Sequence, residues 1–444
     1  MVESNQTVIV DGDNDAFEKL AELSRLRPVW VQVGQLFDGV HHLPTPSAHL
    51  VFDSHRILFV GIQEDQPPPE LLADGAAHPD AVLPKYSVLP CLIEAHAHMF
   101  LDGAPIDLAQ REQYLKETSQ WMLDRARARR PVLLQCGVGT VRDAGDKHGV
   151  GLMLAKEAKA SLGRPSRLPW IDSPGSAIYH RGRYGRFMAE PIEDHASAAS
   201  CVTSRVADGA DRIKLLVSGI INFKVGRVTV PPQMGTDEVA QIVQAARKHG
   251  RQTFAHASGS PGIENAIEGG VTSVEHGYFI THNQLSRMRD RGIGWVPTFA
   301  PVQAQIDRAG ELGWKSHIVD HLQRIVDKHR QMLLLGHHMG VTILAGSDAG
   351  SCGVPHGLGL LSELVHLEQA GMPTIEVLKS ATGVSSRLLG FSEPVGRIAP
   401  GSRTRLIFTR YNPFETVANL QKDTTVFFDG LSVRGNGEIL SEGM

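Results

Sequence analysis

Leu89-Pro90-Cys91-Leu92-Ile93-Glu94-Ala95-His96-Ala97-His98 is the stretch on which the fold turns. An apolar, strand-like run ends in two histidines at i and i+2, and on an extended backbone alternate side chains share one face. His96 and His98 are therefore placed to grip one ion. With 21 histidines in the chain such a pair can arise by chance. Four further candidate ligands give it weight, each near the C-terminal end of its own strand-like run: Lys214, His256, His276 and Asp348.

From this stretch to about Phe391, short apolar runs alternate with amphipathic pieces of helix length. Strand-like pieces are Gly139–Asp143, Leu168–Asp172, Ile213–Val217, Thr253–Ala257, Thr272–His276, Gly294–Thr298 and Thr342–Ser347; helix-like pieces include Asp107–Arg130, Gly151–Leu162 and Asp320–Met339. Such alternation implies a parallel sheet. About eight units imply an α/β fold of the (β/α)8 TIM-barrel type, whose functional residues sit at the C-terminal ends of the strands. Before the quoted stretch, Val31-Gln32-Val33, His49-Leu50-Val51-Phe52 and Ile57-Leu58-Phe59-Val60 read as strands, interrupted by Pro67-Pro68-Pro69 and Asp74-Gly75. After Phe391, Leu406-Ile407-Phe408 and Thr425-Val426-Phe427-Phe428 read likewise. The expected division is an extension over 1–28 with one helix at Ala16–Leu26, a β-sandwich from 29–88 and 392–444, and a (β/α)8 barrel over 89–391.

Composition narrows the class. A net charge of −4 with well-mixed charges argues against nucleic-acid or anionic-membrane partners. Four widely spaced cysteines without a Cys-x-x-Cys pattern read as free thiols of a reducing compartment. The stretch Met1 to Asp15 is polar and acidic, with no apolar core of a secretory signal, and no apolar run approaches a membrane span. The expectation is a soluble, cytoplasmic protein. Histidine and carboxylate ligands suit zinc or a similar divalent ion.

The ordered set His-x-His, Lys, His, His, Asp resembles the amidohydrolase superfamily, in its binuclear branch with a carboxylated lysine. The likeness extends over roughly 30–444 and includes Gly137-Val138-Gly139-Thr140-Val141-Arg142-Asp143-Ala144-Gly145, Ser273-Val274-Glu275-His276-Gly277 and the tail Gly396-Arg397-Ile398-Ala399-Pro400-Gly401. It is nearest the group of prolidase-like and arginine-releasing dipeptidases and the enzymes cleaving ochratoxin, phenylureas and thiocarbamates. The resemblance implies two divalent ions, zinc first and cobalt, manganese or iron as substitutes. One would be held by His96, His98, Lys214 and Asp348, the other by Lys214, His256 and His276, with a CO2-derived carbamate on Lys214 bridging them. It also implies a metal-activated hydroxide with Asp348 as proton shuttle, and a homo-oligomer. Two departures stand out: Glu94 replaces the family's usual aspartate, and Ser258 stands where the peptidases commonly carry tyrosine.

Substrate contacts are expected from the loops after the strands. In Tyr179-His180-Arg181-Gly182-Arg183-Tyr184-Gly185-Arg186, His180 is a candidate to polarise the scissile carbonyl, Arg181 to bind a carboxylate and Tyr184 to line the site. Their plain alternative is a solvated surface loop. Ser258 and the apolar Met99, Phe100, Ile220, Ile221, Phe223, Phe279 and Phe299 are further candidates for the mouth. The expected activity is hydrolysis of a C–N bond of amide, urea or carbamate type in an apolar or aromatic substrate, in preference to a peptide bond. The alternatives are a prolidase-like dipeptidase, a mononuclear deaminase or imidazolonepropionase-like enzyme, and an inactive scaffold.

Overall fold

The computed structural model describes residues 9–10, 15–72 and 76–435. Most of the acidic stretch Met1 to Asp15, the Asp74-Gly75 turn and the last residues of the chain lie outside the described residues.

The strands Val29–Leu36, Thr45–Phe52, Ile57–Ile62 and Ala81–Pro90 join Arg405–Thr409, Thr424–Phe428 and Leu431–Gly435 in one hydrogen-bonded sheet. The seam between the two ends of the chain is Ala81–Pro90 against Arg405–Thr409, antiparallel, with Leu89 opposite Ile407. Val29–Leu36 runs parallel to the other edge of Ala81–Pro90. A two-layered sandwich was expected; the described strands instead form a single continuous sheet of eight, including Ile9–Val10, curled over its own core. The curl brings the rings of Phe52 and Phe427 to 5.1 Å although three strands separate theirs. The helix Ala16–Leu26, expected as part of an extension, packs on this sheet, where Phe17 meets Tyr86 and Phe408 at 5.4 and 5.1 Å.

One residue after Pro90 the chain enters the Leu92–Ala97 strand, which is buried along its whole length. Together with Val138–Asp143 and Trp170–Asp172 it makes a three-stranded parallel sheet. A six-stranded parallel sheet follows, in the order Ala189–Pro191, Ala177–Tyr179, Ile213–Leu216, Thr253–Ala257, Ser273–His276, Gly294–Val296. Most residues of these strands are buried, the polar Arg142, Asp143, Lys214, His256 and Glu275 among them. The segment 341–349 is not a regular strand. It makes single parallel bridges, Trp295 to Ile343 on one side and Ala97 to Ala349 on the other. The Asp211 amide, donating to the Ser173 carbonyl at 2.8 Å, ties the end of the three-stranded sheet to the six-stranded one.

The helix expected at Asp107–Arg130 is two helices, Leu108–Tyr114 and Ser119–Gln135. Thr118 starts the second by accepting the Trp121 amide, the role that draws threonine to a helix N-cap and away from an interior. Pro231 and Pro232 follow a short hairpin, Ile221–Asn222 with Arg227–Val228, that projects beside the strand ends.

Candidate active site

His96 and His98 leave the end of Leu92–Ala97, Lys214 lies in Ile213–Leu216, His256 in Thr253–Ala257, His276 closes Ser273–His276, and Asp348 follows 341–347. Parallel strands deliver all six to one end of the molecule. The ring centroids of His96 stand 5.6 Å from His98 and 5.1 Å from His276, and His256 lies 4.6 Å from His276. Both His96 Nε2 and His98 Nε2 are 3.5 Å from Asp348 Oδ1. His96, His98 and Asp348 each offer a ligand atom within 4.8 Å of the others, a grouping able to hold a metal ion.

The backbone is strained to achieve this. His276, Thr298 and Asp348 have φ of 68°, 55° and 57°, the left-handed region that non-glycine residues avoid and a β-branched threonine avoids most. The hydrogen bonds around them hold them there. Glu363, fully buried, accepts the amides of Phe299 and Ala300 at 3.0 and 2.9 Å, and Tyr278 Oη donates to the Thr298 carbonyl at 2.6 Å. Gly346 is required by proximity: a Cβ there would stand 2.8 Å from the His96 amide nitrogen.

Every histidine of the group has one ring nitrogen engaged. His96 Nδ1 meets Glu275 at 2.6 Å, His98 Nδ1 the Gly145 carbonyl at 3.2 Å, His276 Nδ1 the Thr298 hydroxyl at 2.8 Å, and His256 Nε2 the Gly219 carbonyl at 3.4 Å. An acceptor on one nitrogen fixes the proton there and leaves the other as a lone-pair donor, as metal-ligating histidines require. Glu275 is itself held by Arg142 Nη2 at 2.8 and 3.0 Å, and Arg142 stacks over Phe254 at 4.4 Å. Glu94 accepts the amides of His96 and Ser347 at 3.0 and 2.9 Å, tying the first ligand strand to the segment bearing Asp348.

Burial sets the protonation states. It holds the imidazoles of His98 and His256 down at about 3, with the nearby Lys214 charge adding to the effect, and it drives His96 and His276 in the same direction. Neutral imidazole is the ligating form. Burial also lowers the Lys214 ammonium to about 8, against the pull of Glu275, and raises the Asp348 carboxyl to about 6, against Ser351 and Lys214. Lys214 Nζ, His96 Nε2 and Asp348 Oδ1 are buried without a hydrogen-bond partner. Orphaned buried polar atoms are costly. Three of them on neighbouring candidate ligands fit a cationic group shared among these residues.

A cavity of about 820 Å³ opens onto this cluster, with His98, Lys214, His256, His276 and Asp348 in its wall. Tyr184, Phe223, Ser258, Ile220 and Ile221 line it, as the sequence suggests, and the Tyr184 ring stands 5.2 Å from His256. Six proposed substrate contacts are placed outside this wall: Met99, Phe100, His180, Arg181, Phe279 and Phe299. Both ring nitrogens of His180 are engaged, by Glu193 at 2.7 Å and Glu238 at 2.9 Å, and Arg181 is exposed and paired with Asp194. Phe100 is buried among His98, His148 and Phe187, and Phe299 against His329 at 4.6 Å; neither reaches the cavity. His356 likewise bonds the His98 carbonyl at 3.1 Å. Sequence reasoning missed Arg111, Tyr278, Val302, Gln305 and Trp314, all in the wall. Gly277-Tyr278, one step beyond a ligand, carried a usable signal; the others lie on segments with no local pattern.

The chain matches the amidohydrolase family over residues 87–433. It belongs to that family. Ochratoxinase of Aspergillus niger is 24% identical over 417 residues, covering 86% of this chain and 81% of the relative. Among solved structures, a Xaa-Pro dipeptidase with bound methionine superposes with a TM-score of 0.76 at 24% identity, covering 92% of this chain and 100% of that one. Phenylurea hydrolase B does so at 0.71 and 16%, covering 91% and 96%. Among the described residues no helix is long and apolar enough to cross a membrane.

Proposed function

We propose that this amidohydrolase-family hydrolase uses two divalent ions, zinc by preference, to cleave a C–N bond of an amide, urea or carbamate in a small, largely apolar molecule. The observation that carries this is a set of three unpartnered buried atoms, Lys214 Nζ, His96 Nε2 and Asp348 Oδ1, of which Lys214 and Asp348 line an apolar-walled cavity and His96 Nε2 stands 3.5 Å from Asp348 Oδ1. We take the two parallel sheets and the bridging segment 341–349 as the staves of one (β/α)8 barrel.

His96, His98, Lys214 and Asp348 would hold one ion, and Lys214, His256 and His276 the other. The lysine can serve as an anionic ligand only as a carbamate. Burial favours the neutral amine that adds CO2, with release of a proton. When bound, the ions supply polarisation of the scissile carbonyl and a hydroxide nucleophile at neutral pH. The chain's own part begins with Asp348. Ser351 donates to its Oδ2 at 2.9 Å and fixes the carboxylate, which would take the proton of the attacking water and return it to the leaving nitrogen. Glu275 and Thr298 hold the rings of His96 and His276 in orientation. Leu108, Phe223 and Trp314 offer an apolar wall that excludes water from the bound substrate. Ser258, where peptidases of the group commonly place tyrosine, inclines the substrate away from a free dipeptide. A reducing cytoplasm and a homo-oligomeric state belong to the same proposal, the former resting on four unpaired cysteines.

Metal analysis joined to an activity screen tests it. Two ions per chain, a carbon-13 carbamate signal after labelled bicarbonate, and turnover of aryl ureas, thiocarbamates or N-acyl amides that stops on chelation are expected. One ion with an unmodified Lys214 would replace this reading with the mononuclear one. A metal-loaded protein silent across the screen would leave the inactive scaffold.

A further inference from the structure

The cavity wall carries an unequal set of charges. Arg308 faces Glu311 through two bonds, at 2.9 and 2.6 Å, and Asp107 caps its own helix by accepting the Ala109 amide at 2.9 Å. Asp348 and Lys214 belong to the ligand cluster. Arg111 is the exception. It sits on the short Leu108–Tyr114 helix, lines the cavity, and donates from Nη2 to the Gly350 carbonyl, two residues beyond Asp348. No carboxylate among the described residues lies within ion-pair reach of its guanidinium. Part-buried, it shares the cavity wall with Asp348, His98 and Tyr184.

A part-buried guanidinium with one bond to a neutral carbonyl keeps several N–H donors for a ligand, and its planar fork matches a carboxylate. The rest of the wall is apolar, with Leu108, Ile220, Phe223, Val302 and Trp314 around the opening. We infer that Arg111 is a specificity-determining residue that receives a carboxylate of the substrate, so that the substrate class is an amide with an apolar body and an acid group close to the scissile bond, and not a neutral urea or ester. The inference rests on the amide-hydrolase reading of the cavity and narrows it. The carboxylate, drawn to Arg111 beside Gly350, fixes the register of the chain that carries the C–N bond toward Asp348, while the apolar body lies against Trp314 and Phe223.

Two probes of equal size separate the charge from the shape: 3-phenylpropanoate and 3-phenylpropanamide, titrated calorimetrically into the metal-loaded protein. The parent should bind the acid more tightly than the amide by on the order of tenfold or more, the scale of a charge-assisted bond. Arg111→Met should remove that preference and leave the amide within about twofold. Arg111→Gln, which keeps a donor for Gly350 without the charge, reads the same contrast should the methionine variant not fold. A preference for the acid that survives both substitutions would mean that the ions hold it, and would overturn the inference. So would equal weakening of both probes, which marks a mere clamp on Gly350, or a parent that treats the two alike or binds neither. The parent function is tested separately. A protein that discriminates the probes but hydrolyses nothing in the screen overturns the hydrolase reading, whereas one that hydrolyses amides while ignoring the charge overturns only the role of Arg111.

Discussion

The flanking sheet and the parallel-strand region bury charges in opposite ways. In the sheet, Arg405 meets Asp429 at 2.7 Å and Arg27 meets Asp80 at 2.7 Å, while Trp30 donates to His49 at 3.1 Å. Cation and anion answer each other there, although Arg405 Nη1 and Thr404 Oγ1 keep no partner. Among the parallel strands, Arg142 and Glu275 pair as tightly, at 2.8 Å, but Glu275 has a second duty to His96, and beyond it stand atoms with no protein partner at all. Burial of polar groups serves cohesion in the first region and chemistry in the second. The same interaction type therefore carries different consequences according to what lies next to it.

Substitutions can break that contrast. The largest effect is expected from Asp348→Asn: turnover on any substrate found in the amide and urea screen should fall by about 10²–10⁴-fold with metal content largely kept, because the amide keeps an oxygen for the ion but cannot accept the proton. A near-normal rate would remove Asp348 as shuttle. Lys214→Ala should lose activity and bridging together and regain part of both when short carboxylic acids are supplied, as read by turnover and metal content; an undiminished rate without the acid would contradict the carbamate. Glu275→Gln should cost about 3–5 kcal/mol in denaturant unfolding by stranding Arg142, and also weaken metal binding about 10–100-fold through His96. Asp429→Asn in the flanking sheet should cost about 3 kcal/mol for the same reason while leaving metal affinity unchanged. If both variants lost metal equally, the two regions would not differ as argued. The smallest effect concerns His180. Burial opposes its charge, but the hydrogen bonds to Glu238 and Glu193 prevail and raise its pKa above the usual 6.5. A raised folded-state value means that its stabilisation is complete below the unfolded-state pKa and fades as pH climbs through the higher folded one. The stability gap between the parent and His180→Gln should accordingly be present at mildly acidic pH and vanish in alkali, when measured by urea unfolding across pH.

Legibility in the sequence followed locality. Five of the six ligand candidates announced themselves at or just past the end of a short apolar run; Lys214, second in Ile213–Leu216, stood out as a charge inside one. His180 and Arg181 misled because the anions that engage them, Glu193 and Asp194 on a short turn and Glu238 on a helix further along the chain, show no local pattern with them. Phe100 stands next but one to His98 and Phe299 follows the expected strand end at Thr298, but their side chains enter the packed interior. Arg111 escaped notice because the break between Leu108–Tyr114 and Ser119–Gln135 was hidden inside what looked like one long amphipathic helix. The single curled sheet was illegible for the same reason of distance: strands read correctly one by one say nothing of the order in which they pair.

That pairing of Leu89 with Ile407 has a consequence for how the molecule is born. The edge of Ala81–Pro90 must wait, with its amides unanswered, until nearly the whole polypeptide has left the ribosome, and the closing contact bears the entropy of a very long loop. Loss of the last strands would therefore expose a templating edge next to the first ligand strand, and such shortened chains should aggregate before they ever misfire as catalysts.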